Sequence, residues 1–352
     1  MVIWIIVALA FSFLILVHEL GHFIAALSQG IKVEIFSFGF GRPLVSFKRK
    51  GIEYRISIFP FGGYVKMAGD EMQEKREGHP WEFLSAPAGK KIKVAFAGAL
   101  CNYLAGLVLL CLIFYIGYPI STKVGSVLPG YPAEAAGIKA GDTIVAIDGK
   151  PVRNWMFMTD VIKGKTKGSI ALALKRDDSV VNVSITPKVQ TGEDIFRRKV
   201  KIGLIGITPQ IGGTIEYEKF GIMKSVELGV SELLWMTKVT YKGIWYMLIG
   251  QVSIKESMGP IGIISVIGVA AKLGLTPLLG LVATISVALA VFNLLPLLPL
   301  DGGYIIFFVI EKLRGRPVSK KIFENFMNAG WFLVILLFMF TAYNDIPRIL
   351  GK

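Results

Sequence analysis

Four long apolar runs, nearly free of charge, set what this 352-residue chain can become. Residues 2–17 carry no charge and the apolar character resumes after His18-Glu19, so residues 2–27 are long enough for a hydrocarbon core of about 30 Å. Residues 94–118, 277–300 and 323–343 form three further runs of that length, the second closed by Pro119. A chain in hydrocarbon must satisfy its own backbone hydrogen bonds, so these runs read as membrane-spanning helices. Composition agrees: 53% of residues are hydrophobic and 18% charged, where soluble domains average about 25% charged. Disorder, collagen and a small disulfide scaffold are thereby excluded. Cys101 and Cys111 share one run, where a helix holds them about 15 Å apart, beyond disulfide reach. No basic residue precedes Lys32, which argues for a retained first span over a cleaved signal peptide.

The net charge of +14 has the sign of a nucleic-acid binder, but its distribution is that of membrane topology. Residues 32–93 hold twelve Lys and Arg, and residues 311–322 hold five more. Both basic segments follow apolar spans directly, as cytoplasmic loops do. Four crossings then leave both termini outside and residues 32–93 inside. Residues 259–271 are apolar but only thirteen long, the length of a re-entrant or interfacial segment. A bilayer, and no nucleic acid, is the expected surrounding.

Between residues 33 and 67 the pattern changes to short β-type runs punctuated by Gly39, Gly41, Gly51 and Gly62-Gly63, which predicts two or more strands on the inner side. Residues 123–187 read as an outer soluble domain of alternating strands and turns. Its stretch from Ala133 to Gly149 predicts a short helix ended by Gly137 in the left-handed conformation, a turn at Gly141-Asp142, and a strand reaching an Asp148-Gly149 hairpin turn. That run resembles a bacterial PDZ domain, a peptide-binding module. Residues 188–258 read as a linker and amphipathic helices whose Trp235, Trp245 and Tyr246 suit the membrane interface. The expected organisation is therefore a membrane half over residues 1–122, the outer domain over 123–187, this connecting region over 188–258, and a second membrane half over 259–352. In class, the chain is a polytopic α-helical membrane protein with a β-rich loop and an inserted α/β domain.

His18-Glu19-Leu20-Gly21-His22 has the H-E-x-x-H form. Spacing of i and i+4 stacks two imidazoles on one helix face, and the adjacent Glu19 comes within reach of a water in a metal's open position. Ionisable groups inside a span are costly, so three within five positions call for a partner such as a metal. A catalytic zinc takes three protein ligands. His79 follows a charged loop and precedes Pro80, a poor setting for a buried ligand. Asp301 stands out among the acids: it follows Leu300 at the inner end of the third span, beyond Pro296 and Pro299, which break the helix there. The topology puts His18, His22 and Asp301 on the same side, near the inner leaflet.

With these residues the chain resembles the site-2 protease family of intramembrane zinc metalloproteases, in its bacterial regulator-of-sigma-E protease branch. The resemblance spans nearly the whole chain. It rests on His18 to His22, on Phe61-Gly62-Gly63-Tyr64-Val65, on Gly98 with Asn102, on the inserted PDZ domain and on the run from Asn293 to Gly302. The family's second motif reads N-x-x-P-x-P-x-L-D-G; here Leu298 stands where its second Pro is expected and Pro299 follows. A single PDZ domain also departs from the enterobacterial arrangement of two. The resemblance implies Zn2+ on His18, His22 and Asp301, with Glu19 as general base. It further implies Asn293 on the substrate backbone, and Asn102, Gly62 and Gly63 beside the substrate, while the run from Gly98 to Asn102 also suits close packing of spans. The implied activity is cleavage of single-span membrane proteins, such as trimmed anti-sigma factors and remnant signal peptides, in the bacterial inner membrane. The PDZ domain would then face the substrate's outer region or a peptide terminus. A metal-free PDZ scaffold and a transporter with broken helices are the other classes such a chain could serve. The first predicts no bound zinc; the second predicts polar residues scattered through several spans.

Overall fold

The computed structural model describes residues 2–71, 77–119, 122–152, 155–196, 198–210, 217–256 and 258–349. In chain order its membrane-facing first part holds α1 (Val2–Ser28), β1 (Val33–Arg49), β2 (Ile52–Met67) and α2 (Ala88–Ile116). There follow β3 (Tyr118–Pro119), β4 (Val124–Val127), α3 (Pro132–Ala135), β5 (Thr143–Ile147), β6 (Lys150–Pro151), α4 (Trp155–Gly164), β7 (Ile170–Arg176) and β8 (Ser179–Ile185). Next come β9 (Lys188–Glu193), β10 (Lys199–Leu204), β11 (Ile207–Pro209) and β12 (Tyr217–Glu218). The chain closes with α5 (Ile222–Leu248), α6 (Pro260–Leu273), α7 (Leu275–Asn293), α8 (Asp301–Arg314) and α9 (Lys320–Ile349). Two compact units emerge: residues 1–113, 222–242 and 254–352 form one, and residues 114–221 with 243–253 form the other.

Among the described residues, four helices are long and apolar enough to cross a membrane, over Trp4–Ser28, Ala88–Ile116, Leu275–Asn293 and Lys320–Pro347. They coincide with the four expected spans, and within the third run α7 stops at Asn293, ahead of the two prolines expected to break the helix. Pro296 and Pro299 have no N–H to donate, so Leu294–Leu300 turns instead, although its residues are as apolar as the span. The chain then restarts as α8 with Asp301 in its first turn, where a carboxylate suits the positive helix end, and finishes at Gly315 in the left-handed conformation (φ 68°). Residues 259–271 lie in α6, whose Ile267 is fully buried in a cluster with Val7, Leu14 and Val282. Buried Asp345 of α9 accepts the Gly259 and Gly262 N–H groups at the start of α6, at 3.0 and 2.8 Å.

The expected inner strands form as a long bent hairpin, with Lys50 and Gly51 at positive φ in its turn. Phe36 is registered with both Val65 and Tyr54, so the first half of β1 has β2 residues on either side. Residues 63–67 of β2 pair with β1 along one edge. The sheet packs on α1, α2 and α8 through Ala26, Val33, Met67, Phe83, Val94 and Phe308. At the start of α2, Lys91 is buried and its Nζ donates to both oxygens of Glu311 on α8 at 2.7 Å and to the Leu84 carbonyl at 3.2 Å.

The second unit is built on an antiparallel sheet in the order β6-β5-β7-β8. Ile170, Leu172 and Leu174 alternate inward along β7. Gly137 ends α3 with φ 72°, and Asp148 and Gly149 make the hairpin turn with φ 47° and 74°, as the sequence grammar predicts. The boundary expected at Pro187 is corrected. Ile205, 2% exposed, belongs to the same core as Val124 and Ile144, and β11 pairs with β4. Of the region 188–258, expected as linker and amphipathic helices, residues 188–218 carry the β9–β10 hairpin, β11 and β12, and the described helical residues form the 27-residue α5 and a short 3-10 turn at Ile254–Glu256. Trp245 is exposed, while Tyr246 sits under the Arg198 guanidinium at 3.6 Å.

Candidate metal centre

The i and i+4 spacing on α1 brings His18 and His22 together with their Nε2 atoms 3.2 Å apart. Asp301, at the first residue of α8, turns its carboxylate toward both: Oδ2 lies 3.4 Å from His18 Nε2, and Oδ1 lies 3.4 Å from His22 Nε2. Among the described residues this is the one group of three or more potential metal ligands, its ligand atoms all within 4.8 Å of one another. His79 is not part of it; its Nε2 meets Glu77 at 2.9 Å and its ring stacks on Trp81.

Three observations test whether these residues fit zinc. Ligand bonds of about 2.0–2.1 Å in tetrahedral array set neighbouring donor atoms about 3.3–3.4 Å apart. The Nε2–Nε2 separation of 3.2 Å is close to that edge, and each Nε2 has its own Asp301 oxygen at 3.4 Å. His22 Nδ1 donates to the Val94 carbonyl at 2.8 Å, which fixes its proton there and leaves Nε2 as a lone pair. Asp301 Oδ2 is buried with no hydrogen-bond partner. A carboxylate facing imidazole lone pairs without a proton between them needs a cation, so the donor set fits zinc.

The surrounding elements leave room for this arrangement by using glycine. A Cβ on Gly98 of α2 would overlap the imidazole of His22 and stand 2.7 Å from His18 Cε1. A Cβ on Gly63 would stand 2.7 Å from the Ser37 carbonyl oxygen and 3.6 Å from Glu19 Cγ, so β2 runs beside Glu19. Gly62, with φ 145°, lies under the Phe40 ring. Glu19 and His22 line a cavity of about 210 Å³ together with Asp301.

Asn293, the last residue of α7, puts its amide nitrogen Nδ2 3.4 Å from His18 Nδ1. Asn102 is 1% exposed, its Oδ1 has no hydrogen-bond partner, and its carbonyl accepts from Ser286 Oγ at 2.8 Å. The structure thus gathers His18, His22, Asp301, Glu19, Asn293 and Gly63 around one point. Sequence reasoning missed the Val94 carbonyl, Asp70 and Tyr304. Tyr304 was within reach of sequence reasoning, since it lies one helical turn from Asp301, but only once α8 is known to begin at Asp301.

Comparison with known proteins agrees with the site. The description of peptidase family M50 matches residues 6–337. A Clostridium acetobutylicum protein carrying a zinc-metalloprotease description is 35% identical over 97% of this chain and 96% of its own length. A Campylobacter jejuni protein with the same description is 34% identical over 98% and 93%. The metalloprotease MmpA of Caulobacter vibrioides is 29% identical over 96% and 93%. The solved PDZ domain of an SdrC-like protein from Listeria innocua aligns with 26% of this chain and 97% of its own at 28% identity, with a TM-score of 0.21, too low to bear on the fold. The spacing of the three ligand atoms and a family match that takes in all three residues lead to one identification: the chain belongs to peptidase family M50, the site-2 protease family, as a multi-pass inner-membrane zinc metalloendopeptidase.

Proposed function

We propose that this peptidase cleaves single-span membrane proteins within or beside the bilayer, with Glu19 as the general base. The observation that carries the reading is the convergence of His18, His22 and Asp301, at 3.2–3.4 Å, inside a unit whose four long helices are apolar enough to span a membrane. Zinc held there by His18, His22 and Asp301 would supply Lewis acidity toward the scissile carbonyl and toward water. Glu19 takes the proton from the attacking water and hands it to the leaving amine. It is one residue from His18 but outside the ligand group, which suits a base. The Val94 carbonyl holds the His22 tautomer through Nδ1, and the Asn293 side-chain amide stands beside His18, where its N–H groups can donate to a substrate carbonyl.

A transmembrane helix has its carbonyls already hydrogen-bonded, so the substrate must unwind before attack. Residues 63–67 of β2 pass beside Glu19, and strand addition along them would hold the unwound segment with Gly62 and Gly63 at its edge. We assign residues 32–93 and the metal to the cytoplasmic side and both termini to the outer side, from the basic loops that follow the first and third spans. The second unit is read as a non-catalytic outer PDZ domain; among the described residues it holds no metal-ligating group. Trimmed anti-sigma factors and remnant signal peptides are the substrates that the family resemblance suggests.

The test is cleavage of a single-span reporter by the purified, zinc-loaded chain in lipid vesicles, with Glu19→Gln beside it. The proposal expects product from the parent chain and a loss of at least about 10² in rate for the variant. Undiminished cleavage by Glu19→Gln would remove Glu19 from the mechanism.

A further inference from the structure

The cavity next to the metal ligands has a shape the reaction itself does not require. Its catalytic rim is Glu19, His22 and Asp301. Its wall is apolar: Val65 and Met67 come from β2, Phe83 from the loop before α2, and Val94 and Ala95 from α2. Asp70 and Tyr304 supply its remaining polar groups. Asp70 is held in place because its Oδ2 accepts the Met67 N–H at 2.8 Å.

The volume decides what can enter. At about 210 Å³ the space is smaller than the roughly 300–1,000 Å³ of small-molecule sites. It is larger than the roughly 150 Å³ engineered cavity that admits benzene. One leucine- or phenylalanine-sized side chain is the matching occupant.

The strand geometry decides which side chain it is. Residues 65 and 67 of β2 both line the cavity, as the period of two along a strand requires. Residues directly opposite one another on neighbouring strands point to the same face of a sheet. A substrate strand laid along β2 therefore directs a side chain on the Val65 and Met67 face into the cavity, beside the bond held at the metal ligands.

From this we infer that the cavity is a specificity pocket, taking one apolar side chain of leucine to phenylalanine size from a residue flanking the scissile bond and refusing acidic ones at the Asp70 carboxylate. The inference rests on the peptidase reading above and adds the side-chain preference to it.

The experiment uses the full zinc-loaded chain in vesicles and a single-span reporter whose cleaved bond is first mapped by mass spectrometry. Each flanking residue is then varied through Gly, Ala, Leu, Phe and Glu. At one flank, Leu and Phe should be cleaved at least about tenfold faster than Gly and Glu. Ala95→Leu, which narrows the pocket, should shift the preference toward Ala, and Met67→Ala, which widens it, should shift it toward Phe. Zinc content of one per chain in both variants separates a change of preference from loss of the metal. A flat profile at both flanks in the parent chain overturns the inference, as does a parental profile in both zinc-loaded variants. If a variant fails to fold, the panel on the unaltered chain decides alone. No cleavage of any reporter by a zinc-loaded chain would overturn the peptidase reading together with the pocket, whereas cleavage with a flat profile overturns the pocket only.

Discussion

Gly98 of α2 lies directly against the His22 imidazole, with no space between them for a methyl group. The two imidazoles of α1 can lie side by side, facing Asp301, because the neighbouring helix presents bare backbone at that position.

Gly98→Ala should accordingly lose zinc. Alanine favours a helix over glycine by about 1 kcal/mol, so propensity alone would stabilise α2. The added Cβ instead displaces His22 and His18 from the ligand geometry. Zinc stoichiometry and thermal stability of the purified variant check this. A full complement of zinc in Gly98→Ala would contradict the packing.

Topology can be tested without a substrate. Ser169 and Ser319 are both exposed, one in the second unit and one between α8 and α9. In a background lacking Cys101 and Cys111, a cysteine at Ser169 should react with an impermeant thiol reagent in intact cells, and one at Ser319 should be protected. The opposite pattern would invert the assignment of sides.

The extent of the second unit predicts how it can be isolated. A fragment of residues 123–210 should unfold cooperatively, whereas residues 123–187 should not, since the shorter piece lacks Ile205 and the β11 partner of β4. Urea unfolding followed by circular dichroism distinguishes them. Equal stability of the two fragments would mean that residues 188–209 merely decorate the fold.

Acid stability of that fragment follows from Asp142. Its side chain is 2% exposed and bound by Arg176 at 2.7 Å, which holds the carboxyl below the usual range, with help from the Lys139 N–H. A folded-state value below the unfolded one of about 3.9 means that this stability is present above pH 4 and is lost as pH falls through the lowered value. Arg176→Met should lower stability at pH 7, because it leaves the Asp142 carboxylate, 2% exposed, without its ion-pair partner. Replacing Asp142 with Asn should flatten the acid limb of the stability profile. An unchanged limb would show that the pair is energetically idle.

The spans and the two histidines were legible in the sequence because both signals are local. A hydrophobic run of twenty residues and an i, i+4 pair need no knowledge of distant chain. Asp301 could be singled out for the same reason, as an acid beyond two prolines in an apolar run. Its setting could not: Leu294–Leu300 has the composition of a membrane span, and only the turn there shows that Asp301 opens a new helix. Gly330 of α9 packs directly against the Leu298 carbonyl in that turn, a contact between residues thirty-two positions apart that no local pattern encodes. The second unit's limit escapes local pattern for a related reason, since β11 joins β4 across some eighty residues of intervening chain. Asp70 gave no signal at all: one acid in a charged loop becomes a cavity residue only through the fold.

The central claim is that His18, His22 and Asp301 hold zinc while Glu19 stands beside it without binding it. Elemental zinc analysis of the purified chain, of Asp301→Ala and of Glu19→Gln tests that most directly. The account predicts one zinc per chain for the parent and for Glu19→Gln, and almost none for Asp301→Ala, since two imidazoles alone make a weak site. Full zinc in Asp301→Ala, or its loss in Glu19→Gln, would contradict the account.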